Sequence, residues 1–589
     1  MKGKPARYFR YLMIGLALVT AALFILPQVW RVGEVSGWVT TGGRPVQGAV
    51  VRVKATGFET RSDSEGRFTL GGFPPRFSVK VTAWAEGFYI GGDSARPWKR
   101  DVEISLKPYL TADNPDYRWI PPAVKDRPPV EDFLIRTGLS AAAKLSFNKV
   151  FLPLASRLEV GCADCHGRTI NEQWEGGAHA QGTGNIRFKT MYDGTDVEGN
   201  QSPPTRQGFH RDYGRFPLPP DPNKPYYGPG FKLDFPDQAG HCATCHAPTA
   251  ALDDPYNTDI NGVQGIDAQG IQCDYCHKVE DVRVNPATQL PYEDMPGILS
   301  TEMRRPEGEP QLFFGPFDDV DVGPDTYSPL QKESRFCASC HNASFWGTPI
   351  YQSYAEWLES PYPGMGKTCQ SCHMQPDGTT TNFAPGRGGL ERDPDTIATH
   401  GFPGAADPEL LRNAVTMTVE GARRDGRVQV TVTIANDRTG HHVPTDSPLR
   451  HMILLVKATG ADGSPLRLLD GPRVPAWGGE GIPARGHYAG LPGTAYAKIL
   501  EELWTEVSPS GAYWNPTRIA VDNRIPAMGS DTSVYSFAAP AEAGTGTGTI
   551  RVEATLLFRR AFIQLAEQKG WEIPDIVMAG STLSLVGER

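Results

Sequence analysis

The chain of 589 residues contains ten cysteines, and they fall into five pairs: Cys162/Cys165, Cys242/Cys245, Cys273/Cys276, Cys337/Cys340 and Cys369/Cys372. Two residues separate each pair, and a histidine follows each at once: His166, His246, His277, His341 and His373. Five copies of C-x-x-C-H leave no cysteine over. Two thiols at this spacing add across the two vinyl groups of one haem, and the adjoining imidazole reaches the iron. Structural zinc and thioredoxin-like pairs also use C-x-x-C, but neither requires histidine at the next position every time. With no cysteine outside the motifs, disulfides are disfavoured. The motifs therefore predict five covalently bound haem c groups, with these ten thiols and five imidazoles binding the cofactor. Long and short intervals alternate between the motifs, which suggests two couples of neighbouring motifs plus one.

Thirteen histidines are present, so eight remain as candidates for the far side of each iron. A second imidazole closes the iron to substrate and suits electron transfer. His179, in Gly-Gly-Ala-His-Ala, has small neighbours that let a haem approach. His400 follows the last motif by 27 residues. His241 directly precedes Cys242 and can serve only a neighbouring haem. His210 sits in Gly-Phe-His-Arg-Asp. One of His441 and His442 is expected to reach back onto the haems, and His442 is taken as that iron ligand. His451 and His487 are the lesser candidates, and Met191, Met295, Met303, Met365 and Met374 read as packing. Trp174, Phe345, Trp346, Tyr351, Tyr354 and Trp357 read as haem-pocket packing. No catalytic residue is assigned.

These groups need elements to position them, and the chain divides by pattern. Basic Lys2, Lys4, Arg7 and Arg10 precede an uncharged apolar run over 11–29. About 20 such residues span a bilayer, so 1–31 is expected to be a signal anchor or transmembrane helix, with a cleaved signal peptide as the alternative. Its basic flank would stay cytoplasmic and the rest would be exported. Residues 33–108 show short alternating strands at 49–53, 67–70 and 78–83 between Gly and Pro turns. They predict a small β-sandwich. Residues 109–129 form a Pro-rich linker. The pentahaem domain, 130–405, is expected to be mostly α and irregular, with short helices at 130–145, 170–180 and 351–360. Residues 410–589 return to strand patterning and predict a C-terminal β-sandwich with one helix at 559–569.

Two resemblances follow from the residues. Ser62-Asp-Ser-Glu-Gly66-Arg-Phe-Thr-Leu70 resembles the carboxypeptidase regulatory-like domain, a transthyretin-like sandwich, which implies a spacer or adhesion module. Asn171-Glu-Gln-Trp174, Gly270-Ile-Gln-Cys273, Ile350-Tyr-Gln-Ser-Tyr354 and Lys367-Thr-Cys369, with Gly440-His-His-Val-Pro444 in the last domain, resemble an exported multihaem cytochrome group. That group is related to the tetrahaem cytochrome that accepts electrons from hydroxylamine oxidoreductase. The resemblance covers roughly 115–589 and implies electron transfer without naming a substrate. Pentahaem nitrite reductases carry C-x-x-C-K at the catalytic haem. This chain has none, so that enzyme is disfavoured.

Together these features predict a membrane-anchored pentahaem c-type cytochrome on the outer face of the cytoplasmic membrane, facing periplasm or extracellular space. It would pass electrons between other redox proteins or a membrane respiratory or photosynthetic complex. The alternative is an oxidoreductase in which one open haem acts on a small nitrogen or sulfur compound. A net charge of −9 and the lack of a polybasic tract exclude a nucleic-acid partner. No P-loop, dinucleotide fingerprint or H-E-x-x-H is present. Oligomeric state is not legible.

Overall fold

The computed structural model describes residues 32–75, 78–125, 128–129, 160–212, 214–307, 311–387, 389–539 and 548–586. They divide between two compact units.

The first unit is built on the sequence between Gly33 and Ser105. Strand Gly33–Thr41 alternates buried and exposed positions, placing Val35 and Val39 in the core. It lies between Arg44–Pro45 and Arg67–Phe73 and pairs in parallel with Val102–Ser105. Gly37 makes that pairing feasible, because any Cβ there would overlap the Val102 carbonyl. A second sheet runs Glu59–Arg61, Val50–Val53, Val79–Trp84, Gly91–Ala95. Val51, Val81, Ala83, Phe68 and Ile104 fill the space between the sheets. Each such aliphatic or aromatic side chain contributes about 1.5–3 kcal/mol when fully buried.

The same unit takes in two further stretches, Met303–Gln331 from between the third and fourth motifs and Gly378–Ile397 from just after the fifth. Arg52 pairs both guanidinium edges with Asp318 at 3.0 and 3.1 Å. Lys54 reaches Asp321 at 2.5 Å, and Trp84 Nε1 donates to Thr326 Oγ1 at 3.1 Å. Arg392 pairs with Asp319 at 2.8 Å while its guanidinium lies over the Phe317 ring. Spacing along the chain does not reveal that these stretches leave the motif region.

The second unit holds Trp119–Glu302, Lys332–Asp377 and Ala398–Arg589. Its C-terminal part is a sandwich. One sheet orders Thr416–Arg424, Arg427–Ala435, Ser530–Ala538, Leu468–Asp470. The other orders Thr517–Asp522, Gly493–Glu502, His451–Thr459, Ile550–Arg559, Ile576–Leu585. Val428, Val430, Val432 and Ile434 alternate inward along one strand and meet Met452, Leu454 and Val456 from the facing sheet. The final helix is Ile563–Lys569. It starts later than the expected 559–569 because the strand pairing runs on through Arg559.

The fold class expected from the sequence needs correcting. The motif region is not mostly α. Its helices are short, and two-stranded ladders such as Gln207–His210 with Gly214–Pro217 and Ala343–Phe345 with Thr348–Tyr351 lie among them. The result is a multi-sheet chain with few helices. Among the described residues no helix is long and apolar enough to cross a membrane. The transmembrane helix over 1–31 and the helix over 130–145 fall outside the described residues, and the transmembrane helix is withdrawn from the fold class.

Buried cations bind the motif region to the sandwich within this unit. Lys569 Nζ donates to the carbonyls of Thr190, Thr195 and Pro229 at 2.7–3.0 Å. Lys498 Nζ donates to Pro349 O and Ile350 O. Arg524 pairs with Glu356 of helix Ser353–Glu359.

Candidate haem-binding site

Each C-x-x-C-H motif forms a helical turn. His166, His277 and His373 donate their backbone N–H to the carbonyl of the first cysteine of their motif, at 2.9–3.0 Å. Residues i, i+3 and i+4 of such a turn share one face. Two thiols and one imidazole of every motif therefore point the same way, as attachment to a single porphyrin requires.

The motif imidazoles are oriented by acceptors. His246 Nδ1 donates to Gly182 O at 2.8 Å and His373 Nδ1 to Pro403 O at 2.7 Å. A Cβ on Gly182 would sit 2.8 Å from His246 O, so only glycine allows this approach. His341 Nδ1 donates to Asp446 Oδ2 at 3.3 Å. Burial alone would lower His341, but this carboxylate outweighs it and pushes the imidazole up to about 9. In all three rings Nδ1 is engaged, which leaves Nε2 for a metal.

Other histidines face some of these rings. His179 and His341 have ring centres 6.4 Å apart, and so do His373 and His441. A metal–nitrogen bond of about 2 Å on each side, with each ring centre about 1 Å behind its nitrogen, sets trans imidazoles about 6 Å centre to centre. His441 Nδ1 donates to His442 O at 2.9 Å, so its Nε2 is again the free nitrogen. His400 is buried within electrostatic reach of His277 and His166, its ring lowered to about 4 by desolvation first and then by those neighbours. It is the imidazole brought to the first and third motifs.

The remaining candidates lie elsewhere. His210 is exposed at the end of strand Gln207–His210, where Nδ1 accepts from the Asp212 N–H at 3.2 Å. His241 is exposed beside Tyr256. His442 turns toward Glu356, with its Nδ1 3.7 Å from that carboxylate. The imidazole brought to His373 is thus His441, the immediate neighbour of the residue expected from the sequence. His451 is buried between Trp477 and Phe562, and His487 Nε2 donates to Glu567 at 2.9 Å.

Thiols of different motifs also meet. Cys162 lies beside Cys273, Cys245 beside Cys340, and Cys337 beside Cys369. Cys276 lies within electrostatic reach of Cys340. The five motifs therefore form one contiguous group, with motif 1 against 3, 3 against 4, and 4 against both 2 and 5. Sequence intervals suggest couples of neighbouring motifs; motifs 4 and 5 are such a couple, with Cys337 beside Cys369.

Three features have no sequence signal. Asp446 orients His341 from 105 positions away. Tyr351 and Tyr513 hydrogen-bond each other near motif 2, with Tyr513 pushed up to about 12 by burial. Phe188 stacks on His246, ring centres 3.8 Å apart and planes within 3°. The donor set fits covalent haem: paired thiols, oriented imidazoles and imidazole pairs at trans spacing.

No family model matches the chain, and no curated protein matches it. Among solved structures it is similar to a penta-heme cytochrome c552 from Thermochromatium tepidum, at 20% identity and a TM-score of 0.47, over 72% of this chain and 97% of that one. A chain of a type II cohesin–X-dockerin complex from Acetivibrio cellulolyticus matches at 17% identity and a TM-score of 0.11, over 12% of this chain and 51% of that one. Both likenesses are too low to carry an argument about function.

Proposed function

We propose that the chain is an exported pentahaem c-type cytochrome that passes electrons between redox partners. Cys162, Cys165, Cys242, Cys245, Cys273, Cys276, Cys337, Cys340, Cys369 and Cys372 hold five haems, and His166, His246, His277, His341 and His373 ligate them. His179, His441 and His400 are the far-side ligands we carry forward. The observation that carries the reading is the pair of facing imidazoles, His179 with His341 and His373 with His441, each 6.4 Å between ring centres. The haems supply reversible one-electron chemistry. The chain's own part is to orient the imidazoles through Nδ1, exclude water and hold the five motifs in one group.

Attachment of haem c on the outer side of the cytoplasmic membrane supports a location in periplasm or extracellular space. The partners would be other redox proteins or a membrane respiratory or photosynthetic complex. Intact mass and a pyridine haemochromogen assay on protein made with a haem-attachment system test this. Five haems per chain are expected, and a colourless chain of bare polypeptide mass ends the reading.

One observation favours a second reading, an enzyme with one open haem. The aromatic ring stacked on His246 is Phe188, and a polar group within reach of the motif 2 thiols is Tyr513, hydrogen-bonded to Tyr351. An open iron there would give a high-spin ferric component that changes on adding nitrite or hydroxylamine. A wholly low-spin spectrum leaves only the conduit.

A further inference from the structure

Three segments of the second unit converge on Gly511. A Cβ there would lie 3.1 Å from Leu565 Cδ2, 3.3 Å from Met191 Cε and 3.6 Å from Leu449 Cδ2. Trp571 Nε1 donates to Thr190 Oγ1 at 3.0 Å, and the Lys569 bonds lock the last helix onto helix Ile186–Asp193. Each converging segment carries an arginine close by. Arg187 is one turn before Met191, Arg450 follows Leu449, and Arg560 stands three residues before the last helix.

These guanidiniums repel one another. Burial is the first cause that lowers Arg187 and Arg560, and the neighbouring arginines add to it. Among the described residues none of the three has a carboxylate within salt-bridge distance. Arg450 Nη1 donates to Thr445 O at 3.0 Å, and Asp446 is within its reach but is already taken by His341 and the Ser353 N–H. Arg560 Nε is buried with no hydrogen-bond partner. Three half-buried guanidiniums against one shared carboxylate are unfavourable unless a further anion joins them.

The cluster lies beside motif 2 by two independent routes. Arg187 adjoins Phe188, whose ring covers His246. Arg450 is within electrostatic reach of Tyr351, and Tyr351's partner Tyr513 is within reach of Cys242 and Cys245.

We infer that Arg187, Arg450 and Arg560 form an oxyanion-binding site beside the second C-x-x-C-H motif. Guanidinium forks match carboxylates and small oxyanions. The anion has two sources: a propionate of the haem held at His246, which rests on the proposed function, or a diffusible oxyanion of the nitrite or sulfite kind.

The test uses the full haem-loaded chain and the double variant Arg187→Gln/Arg560→Gln, with the single Arg187→Gln as a milder change. Haem content is read first, because a count other than five faults the haem reading and not the site. Potentiometric titration and calorimetric titration with sodium nitrite and sodium sulfite follow. If propionate is the anion, one midpoint potential of five falls in the variant and neither salt binds the parent. If a free oxyanion is bound, the parent binds nitrite or sulfite saturably and the variant weakens it about tenfold or more, the worth of one lost charge-assisted hydrogen bond. Unchanged potentials together with no difference in anion binding overturn the site. Should the double variant misfold, the same two readouts on the single variant Arg187→Gln decide it.

Discussion

His373 and His441 hold their ring centres 6.4 Å apart with planes 15° from parallel, and each spends its Nδ1 hydrogen on a backbone carbonyl. Both carbonyls can only accept, so the tautomer of each ring is fixed and both Nε2 atoms are left as bases. His441→Ala is therefore expected to turn one low-spin haem high-spin, visible by electron paramagnetic resonance of the ferric protein. His442→Gln should leave all the low-spin signals in place. If the two variants behave the other way round, the facing pair has been misread.

The contact between His341 and Asp446 sets a different property. A carboxylate accepting from Nδ1 gives the imidazole anionic character and favours ferric iron. Asp446→Asn keeps the shape and removes the charge. One midpoint potential is expected to rise, with haem count unchanged. A fall in that potential would contradict the orienting role.

The covalent motif and the strand alternation are both legible in the amino-acid order, for different reasons. Thioether attachment demands fixed local spacing, so all five motifs stand out. Val428, Val430, Val432 and Ile434 alternate because one face of their strand is buried. The far-side imidazoles follow no such rule. His441 reaches His373 and His179 reaches His341 through tertiary approach, and nothing in the spacing separates His441 from His442. The ladders among the motifs span three or four residues each, too few to carry a period. Asp318 and Asp319 look like ordinary loop acids in sequence, yet they draw Met303–Gln331 into the first unit through Arg52 and Arg392.

Lys569 offers a stability test away from the haems. Its fully buried ammonium meets three carbonyls and, among the described residues, no carboxylate within salt-bridge distance. Lys569→Met keeps much of the side chain's length and removes three donors; Thr190 O keeps the Gly194 and Thr195 N–H groups, while the Thr195 and Pro229 carbonyls lose the ammonium. A loss of about 2–4 kcal/mol is expected, since each orphaned group costs about 1–3 kcal/mol and some will find water. Chemical denaturation followed at the unit's tryptophans measures it. A change under about 0.5 kcal/mol, the range of a surface substitution, would mean the contacts do not clamp the last helix.

His451 provides the pH dependence. It is fully buried beside Trp477 and Phe562, and neither ring nitrogen has a hydrogen-bond partner. Desolvation first, then the nearby Arg559 charge, lower it to about 3 from an ordinary 6.5. The folded chain thus refuses a proton that the unfolded chain accepts. Between these two values the unfolded state holds more protons, so stability rises with pH across that window and levels off above it. Acidifying from pH 6.5 toward pH 4 should cost the parent up to about 1.4 kcal/mol per unit from this residue. His451→Phe, which fits the same aromatic surroundings, should flatten that slope while leaving stability at pH 7.5 nearly unchanged. Equal acid slopes in parent and variant would show that the imidazole finds a route to water, and that its burial has no energetic consequence in this window.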